Sequence, residues 1–157
     1  MAEADSSYLE DVDVMRVMER IPHRYPFLMV DRIVKVVPYE SAHGIKCVSM
    51  GEPYFQGHFP EKPVMPGVLI IESMAQTAGV MVVSSLGPES EGKLVYFMSV
   101  EEAKFRRPVV PGDRLDIHVS KKQNRGQVWR FKGEAFVDGK LCAEAVFAAM
   151  IRDRDQV

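Results

Sequence analysis

The period of the apolar positions changes several times along the chain, and each change marks an element. Within Asp11 to Ile21 the residues Val14, Val17, Met18 and Ile21 recur at helical spacing, with Asp11 or Asp13 available as the N-cap. Pro22 and Pro26 break this helix and hold the stretch P-H-R-Y-P-F extended. Two alternating runs follow, at 29–38 and 41–50, and read as strands joined by a turn at Pro38 to Ser41. A loop rich in proline and glycine, G-E-P-Y-F-Q-G-H-F-P-E-K-P-V-M-P-G, then leads to Pro66, an acceptable first helical residue. The helix it opens, Gly67 to Leu86, is apolar almost all round, which predicts burial inside protein. It is nearly long enough to span a bilayer, but Glu72, Ser73, Gln76 and Thr77 argue against contact with lipid.

Gly87 and Pro88 stop that helix, and four strand-like runs follow at 93–110, 114–123, 127–139 and 140–152. P-G-D and D-G-K punctuate them as turns. Helix, two strands, a long helix and four strands without βαβ alternation predict an antiparallel α+β domain, with a curved sheet wrapped around the one apolar helix. At 157 residues, 46% hydrophobic, the chain has room for one such domain, expected over 11–157 behind a disordered tail at 1–10.

Charge and cysteines narrow the class. A net charge of -2 provides no overall basic field for nucleic acid, so an anionic partner needs a local patch. Cys47 and Cys142 lie in apolar alternating runs and are expected as reduced core residues. The acidic start M-A-E-A-D-S-S has neither the basic nor the apolar region of a signal peptide, so the expected location is the cytoplasm.

Three positions could carry chemistry. His58, in G-H-F-P, sits on a loop stiffened by Pro60, Pro63 and Pro66, and imidazole suits proton transfer near neutral pH. Glu72 interrupts V-L-I-I-E-S-M-A, where burial raises a carboxyl's pKa and makes it a proton donor or a holder of a leaving hydroxyl; a buried salt bridge is the bland alternative. Gln76, one turn on, is placed to orient that carboxylate or to bond backbone across the core. Gly67, second in the helix after Pro66, offers an unsatisfied N–H to a carbonyl or enolate-like oxygen and lets a ligand approach closely, or is a glycine of packing only. With Phe55, Phe59, Val64 and Met65 around them, these residues suit removal of the α-proton of an acyl thioester and expulsion of a hydroxyl from the next carbon. Gly67 and Glu72 are five helical positions apart, about 140° around the axis, too far to face one small site. A second copy of the chain supplying Glu72 resolves this and predicts a site shared across a dimer. His23, His43, His58 and His118 make no HxH or HExxH pattern and the cysteines no CxxC, so no metal site is expected. His118 reads as a strand-face residue.

The pattern resembles the bacterial (3R)-hydroxyacyl-[acyl-carrier-protein] dehydratases of hot-dog fold. The motifs that carry it are I-P-H-R-Y-P-F-L-M-V-D-R at 21–32, G-H-F-P-x-x-P-V-M-P-G-V-L at 57–69 and E-S-M-A-Q at 72–76. K-F-R-R-P-V-x-P-G-D at 104–113 and V-D-G-K-x-x-A-E-A at 137–145 extend it over nearly the whole chain. The resemblance implies a hydro-lyase acting without metal or organic cofactor, with His58 as base and the partner's Glu72 as acid or water-holding carboxylate. It also implies that the Gly67 N–H binds the thioester carbonyl. Glu72 stands where the isomerising relatives carry Asp, which favours simple dehydration to the trans-2-enoyl product in fatty acid elongation. An acidic acyl carrier protein would bring the substrate, and Lys104, Arg106 and Arg107 are the candidate docking patch. Phe59 would contact the substrate, and Tyr96, Phe97 and Met98 would line or gate an acyl tunnel. The expected assembly is a homodimer, and a trimer of dimers as in relatives. Service to membrane fatty acids or to the lipid A branch stays open at this point. The rival readings are a hot-dog thioesterase and a non-catalytic acyl-binding module.

Overall fold

A computed structural model describes residues 7–153. The first helix, α1 (Val14–Arg20), starts after Asp13, whose carboxylate accepts the Arg16 N–H at 3.0 Å and so settles which aspartate is the cap. Before it, the Leu9 N–H donates to the Val36 carbonyl at 2.9 Å, and Val12 exchanges backbone hydrogen bonds with Ile33 at 2.8 and 3.0 Å. Of the tail expected over 1–10, residues 1–6 lie outside the described residues, while Leu9 packs against the core.

Six strands follow the alternation of the sequence: β1 (Arg32–Val37), β2 (Ser41–Cys47), β3 (Leu94–Phe105), β4 (Arg114–Arg125), β5 (Val128–Val137) and β6 (Lys140–Arg152). All pairings are antiparallel, in the order β1-β2-β4-β5-β6-β3. The connection from α2 (Gly67–Leu86) therefore leads to the far edge at β3, and β4 begins again at the centre, beside β2. Register shifts at Phe97/Ser99, Glu101/Lys104 and Lys121/Gln123 bend the long strands, and bulges of this kind let a sheet curl around what it covers.

What it covers is α2, which touches all six strands. Leu115, Ile117 and Val119 of β4, Trp129, Phe131 and Ala135 of β5, and Ala143, Ala145 and Phe147 of β6 point inward at every second position. Full burial of a side chain such as Phe131 or Phe147 contributes about 1.5–3 kcal/mol. The helix lies close enough that a Cβ at Gly133 of β5 would stand 2.5 Å from the Met74 sulfur, and one at Gly44 of β2 would meet the Thr77 side chain. Glycine at these two positions is thus a condition of the helix lying on the sheet. By length and composition α2 could cross a membrane, yet 72% of its apolar window is buried in the fold. The expected α+β sheet around one buried helix is the architecture observed.

Three local readings change. Pro66 is the N-cap of α2 rather than its first residue, with ψ at 131°, so Gly67 opens the helix. Cys142 is buried but Cys47 is exposed, because the alternation of β2 turns residue 47 to the outer face. The runs at 29–38 and 41–50 are trimmed to six and seven residues of strand, since the pairing of β1 with β2 begins only at Arg32 and β2 leaves the ladder after Cys47.

Candidate active site

His58 is held by backbone, not by another catalytic side chain. A 3-10 turn, Pro53–Gln56, buries Phe55, and the Tyr54 carbonyl at its centre accepts the His58 N–H at 3.0 Å. Glu52, just before the turn, pairs with the buried Lys46 and accepts the Ser49 N–H at 3.0 Å, anchoring the loop to β2. After it, Phe59 and Lys62 exchange backbone bonds at 3.2 and 3.1 Å, and the Val64 N–H donates to the His58 carbonyl at 3.0 Å. The His58–Phe59 peptide bond is cis, and the Phe59 ring stacks on the imidazole at 4.2 Å between centroids.

The decisive contact is His58 Nδ1 to the Val64 carbonyl, at 2.7 Å. A carbonyl only accepts, so Nδ1 carries the hydrogen, and Nε2 of the neutral ring is left as the base. His58 lines a cavity of about 430 Å³ with Val64, Gly67, Phe105, Arg106 and Arg107 among its walls. Gly67 stands at the start of α2, where Pro66 provides no side-chain cap, so the helix end presents its N–H donors. A Cβ at Gly67 would come within 2.6 Å of the Phe105 ring. The space that glycine leaves is therefore taken by an aromatic wall of the cavity, a residue the sequence reading did not single out.

Glu72 does not line that cavity. Its Oε1 accepts from the Gln76 amide at 3.0 Å and lies 3.5 Å from Nε2 of His23. Gln76 is fully buried; it also donates to the Phe27 carbonyl at 2.8 Å and accepts the Met29 N–H at 2.7 Å, so one amide fixes both the carboxyl and the P-H-R-Y-P-F loop. The two expected roles of Gln76 coincide. Burial raises the Glu72 carboxyl above the usual glutamate range, partly opposed by the Gln76 hydrogen bond. Burial lowers the His23 imidazole, with Arg24 acting in the same direction. Both shifts favour the neutral forms and so work against a salt bridge across the 3.5 Å contact.

Residues 21–146 match the family described as the FabA-like domain. The chain belongs to that family. The FabA-like chain is 67% identical over 142 residues to a 3-hydroxyacyl-[acyl-carrier-protein] dehydratase FabZ of Paramagnetospirillum magneticum, covering 90% of this chain and 88% of that protein. It is 66% identical over 143 residues to the FabZ dehydratase of Acidiphilium cryptum, covering 91% and 87%. Among solved structures it resembles a chain of the dehydratase heterocomplex ApeI:P from Xenorhabdus doucetiae, with a TM-score of 0.77 at 20% identity over 88% of this chain and 92% of that one. At that identity the likeness speaks for the hot-dog fold alone.

Within this FabA-like fold the expected site residues fall into groups. His58, Gly67, Arg106 and Arg107 meet around one cavity. Arg106 Nε lies 3.4 Å from Glu144, and the exposed Lys104 precedes both arginines on β3. Glu72 and Gln76 form a second cluster against the P-H-R-Y-P-F loop. Tyr96, Phe97 and Met98 line neither; they lie on the edge strand β3 with 42%, 40% and 54% of their surface exposed, and Phe97 meets Phe147 edge-on. His118 is on the outer face of β4, its ring stacked on His43 at 4.4 Å. Among the described residues no group of three or more His, Cys, Asp or Glu could hold a metal ion. His23 is the functional neighbour missed from sequence; its signal was the pair of prolines that pin H-R-Y between α1 and β1.

Proposed function

We propose that this protein is a hydro-lyase that dehydrates (3R)-hydroxyacyl chains on acyl carrier protein to trans-2-enoyl chains in fatty acid elongation, in a site built by two copies of the chain. Dehydration of carrier-bound 3-hydroxyacyl groups is the activity of the 52–67% identical FabZ relatives. The observation that carries the mechanism is the 2.7 Å bond from His58 Nδ1 to Val64, which leaves Nε2 as the free base of a residue that lines a cavity. His58 Nε2 removes the α-proton, whose electron pair becomes the new double bond as the C–O bond to the 3-hydroxyl breaks. Burial favours the protonated form of the Glu72 carboxyl, and in this mechanism its proton leaves with the hydroxyl as water. The Gly67 N–H at the α2 N-terminus faces the charge that develops on the thioester oxygen.

Two observations support a second copy as the source of Glu72. Glu72 lies outside the cavity of its own His58. The edge strand β3 exposes Tyr96, Phe97, Met98, Val100 and Phe105, an apolar edge of the kind that pairs with another strand. In that assembly Phe59 and the Tyr96–Met98 segment line the acyl path, Arg106 and Arg107 with Lys104 receive the acidic carrier, and trimers of dimers are the larger form. The reading places a soluble enzyme, without cofactor, in the cytoplasm.

The test follows absorbance of the conjugated enoyl thioester from a carrier-linked 3-hydroxyacyl substrate. Loss of signal in both His58→Ala and Glu72→Gln is expected. Unchanged signal in either variant removes that residue from its role, and release of free thiol in place of enoyl product would move the reading to a thioesterase.

A further inference from the structure

The Glu72 carboxyl is approached from two elements of its own chain: the Gln76 amide on α2 at 3.0 Å, and His23 Nε2 from the P-H-R-Y-P-F loop at 3.5 Å. The His23 and Glu72 side chains are each only 14% exposed, so their contact is shielded from water and electrostatically strengthened. The other ring nitrogen, His23 Nδ1, is buried without a hydrogen-bond partner.

That orphan nitrogen decides the state of the ring. An imidazolium would bury an N–H at Nδ1 with no acceptor, and so would the neutral Nδ1–H tautomer, and a buried donor without a partner is costly. The neutral Nε2–H tautomer leaves a lone pair there in place of an unpartnered N–H, and puts its one donor on the nitrogen that lies 3.5 Å from Glu72. Two titratable or charged groups face the ring: Glu72 from α2, which would favour an imidazolium only as a carboxylate, and Arg24, next in the loop, which donates to the carbonyls of Met18, Ile21 and His23 and disfavours a second positive charge.

We infer that His23 is a positioning residue for the dehydration: a neutral imidazole whose Nε2–H orients the Glu72 carboxyl and stabilises the carboxylate left when Glu72 gives its proton to the leaving hydroxyl. The inference rests on the acid role proposed for Glu72, and His23 serves the Glu72 of its own chain whichever His58 that carboxyl faces. At 3.5 Å the contact is longer than an ordinary N–H···O bond. It shortens as the carboxyl ionises, since charge-assisted bonds are shorter and about twice as strong. Gln76, tied to Phe27 and Met29, cannot follow the carboxyl in this way.

The experiment measures kcat and KM with carrier-linked substrate across pH for wild type, His23→Phe, His23→Gln and, in parallel, Glu72→Gln. Phenylalanine keeps a ring and removes the donor; glutamine keeps a neutral donor. In His23→Phe, kcat falls about ten-fold with KM unchanged, the scale of one hydrogen bond to a charged group. Its alkaline limb moves to higher pH, because the carboxylate has lost a stabilising donor and Glu72 holds its proton longer. His23→Gln stays within about two-fold of wild type in kcat and keeps the position of the limb. An unshifted limb in His23→Phe, or an equal loss in both variants, reduces His23 to packing and overturns the inference. If Glu72→Gln abolishes activity while His23→Phe behaves as wild type, only the role of His23 fails; if Glu72→Gln stays active, the acid role of Glu72 fails and takes this one with it. Should His23→Phe not fold, nitrogen NMR of the wild-type ring reads the tautomer directly. A neutral Nε2–H ring is expected at pH 6.5, where an ordinary imidazole is half protonated, and an imidazolium or Nδ1–H form there overturns the inference.

Discussion

Glu72 is expensive where it stands, and the expense has a pH signature. In the unfolded chain it ionises near the ordinary glutamate value of 4.5, whereas burial raises that value in the fold. Between the two values the folded state keeps a proton that the unfolded state has lost, so stability falls as pH rises through this window and stays lower above it. Glu72→Gln removes the penalty and keeps an acceptor for Gln76. By calorimetry its thermal midpoint is expected above that of wild type at pH 7, with the difference shrinking towards pH 4. Equal midpoints at pH 7 would mean that the carboxyl is held without a burial cost. His23 has the opposite sign: burial lowers its pKa below the ordinary 6.5, so stability is lost as pH falls through 6.5. The two groups therefore oppose each other: rising pH costs stability at Glu72 and restores it at His23.

At the scale of elements, α2 is the axis on which both halves of the site are mounted. Its first residue, Gly67, faces the His58 cavity, and its second turn carries Glu72 against the loop between α1 and β1. Displacing α2 from the sheet therefore disturbs both. Gly44→Ala tests this, because the new Cβ meets Thr77, whose hydroxyl is already bonded to the Ser73 carbonyl at 2.8 Å and whose branched side chain has little room to turn. The expected loss is about 1–3 kcal/mol in urea denaturation, with reduced kcat in the folded protein. A variant as stable as wild type would show that the helix rides more loosely on β2 than its packing indicates.

For the whole molecule, the question is which copies supply the two proposed catalytic side chains. Mixing equal amounts of His58→Ala and Glu72→Gln protein under subunit exchange distinguishes the cases. If the site is shared, half the dimers are mixed and each has one intact site, so activity recovers to about a quarter of wild type. A site within one chain gives no recovery. Charge acts at the same scale: a net of -2 says nothing of carrier binding, but Arg106 and Arg107 beside the cavity form a local positive rim. Arg107→Glu is expected to raise KM about ten-fold for a carrier-linked substrate and to leave KM for a short pantetheine thioester unchanged, since rim charges act on encounter with the charged partner. An equal rise for both substrates would place Arg107 on the acyl or pantetheine path instead.

Periodicity and punctuation are local properties, and they determined the elements here: α2 ends at Leu86 as read and starts one residue later than read, and the turns at 111–113 and 138–140 separate strands as expected. His58 and Glu72 were candidates for a related reason, since a histidine between prolines and a carboxylate in an apolar helix stand out against their own neighbours. Sheet order was not legible, because the jump of β3 to the far edge and the return of β4 beside β2 leave no trace in local spacing. The outward turn of Cys47 depends on one step of register, and the wall that Phe105 makes over Gly67 joins residues thirty-eight positions apart. His23 shows the difference most plainly: in sequence it is one of four scattered histidines, and only folding brings its ring to Glu72 and leaves its other nitrogen unsatisfied. Hydrophobic period is set by neighbours along the chain, whereas an orphaned ring nitrogen or a paired carboxyl is set by whichever distant groups the packed core brings together.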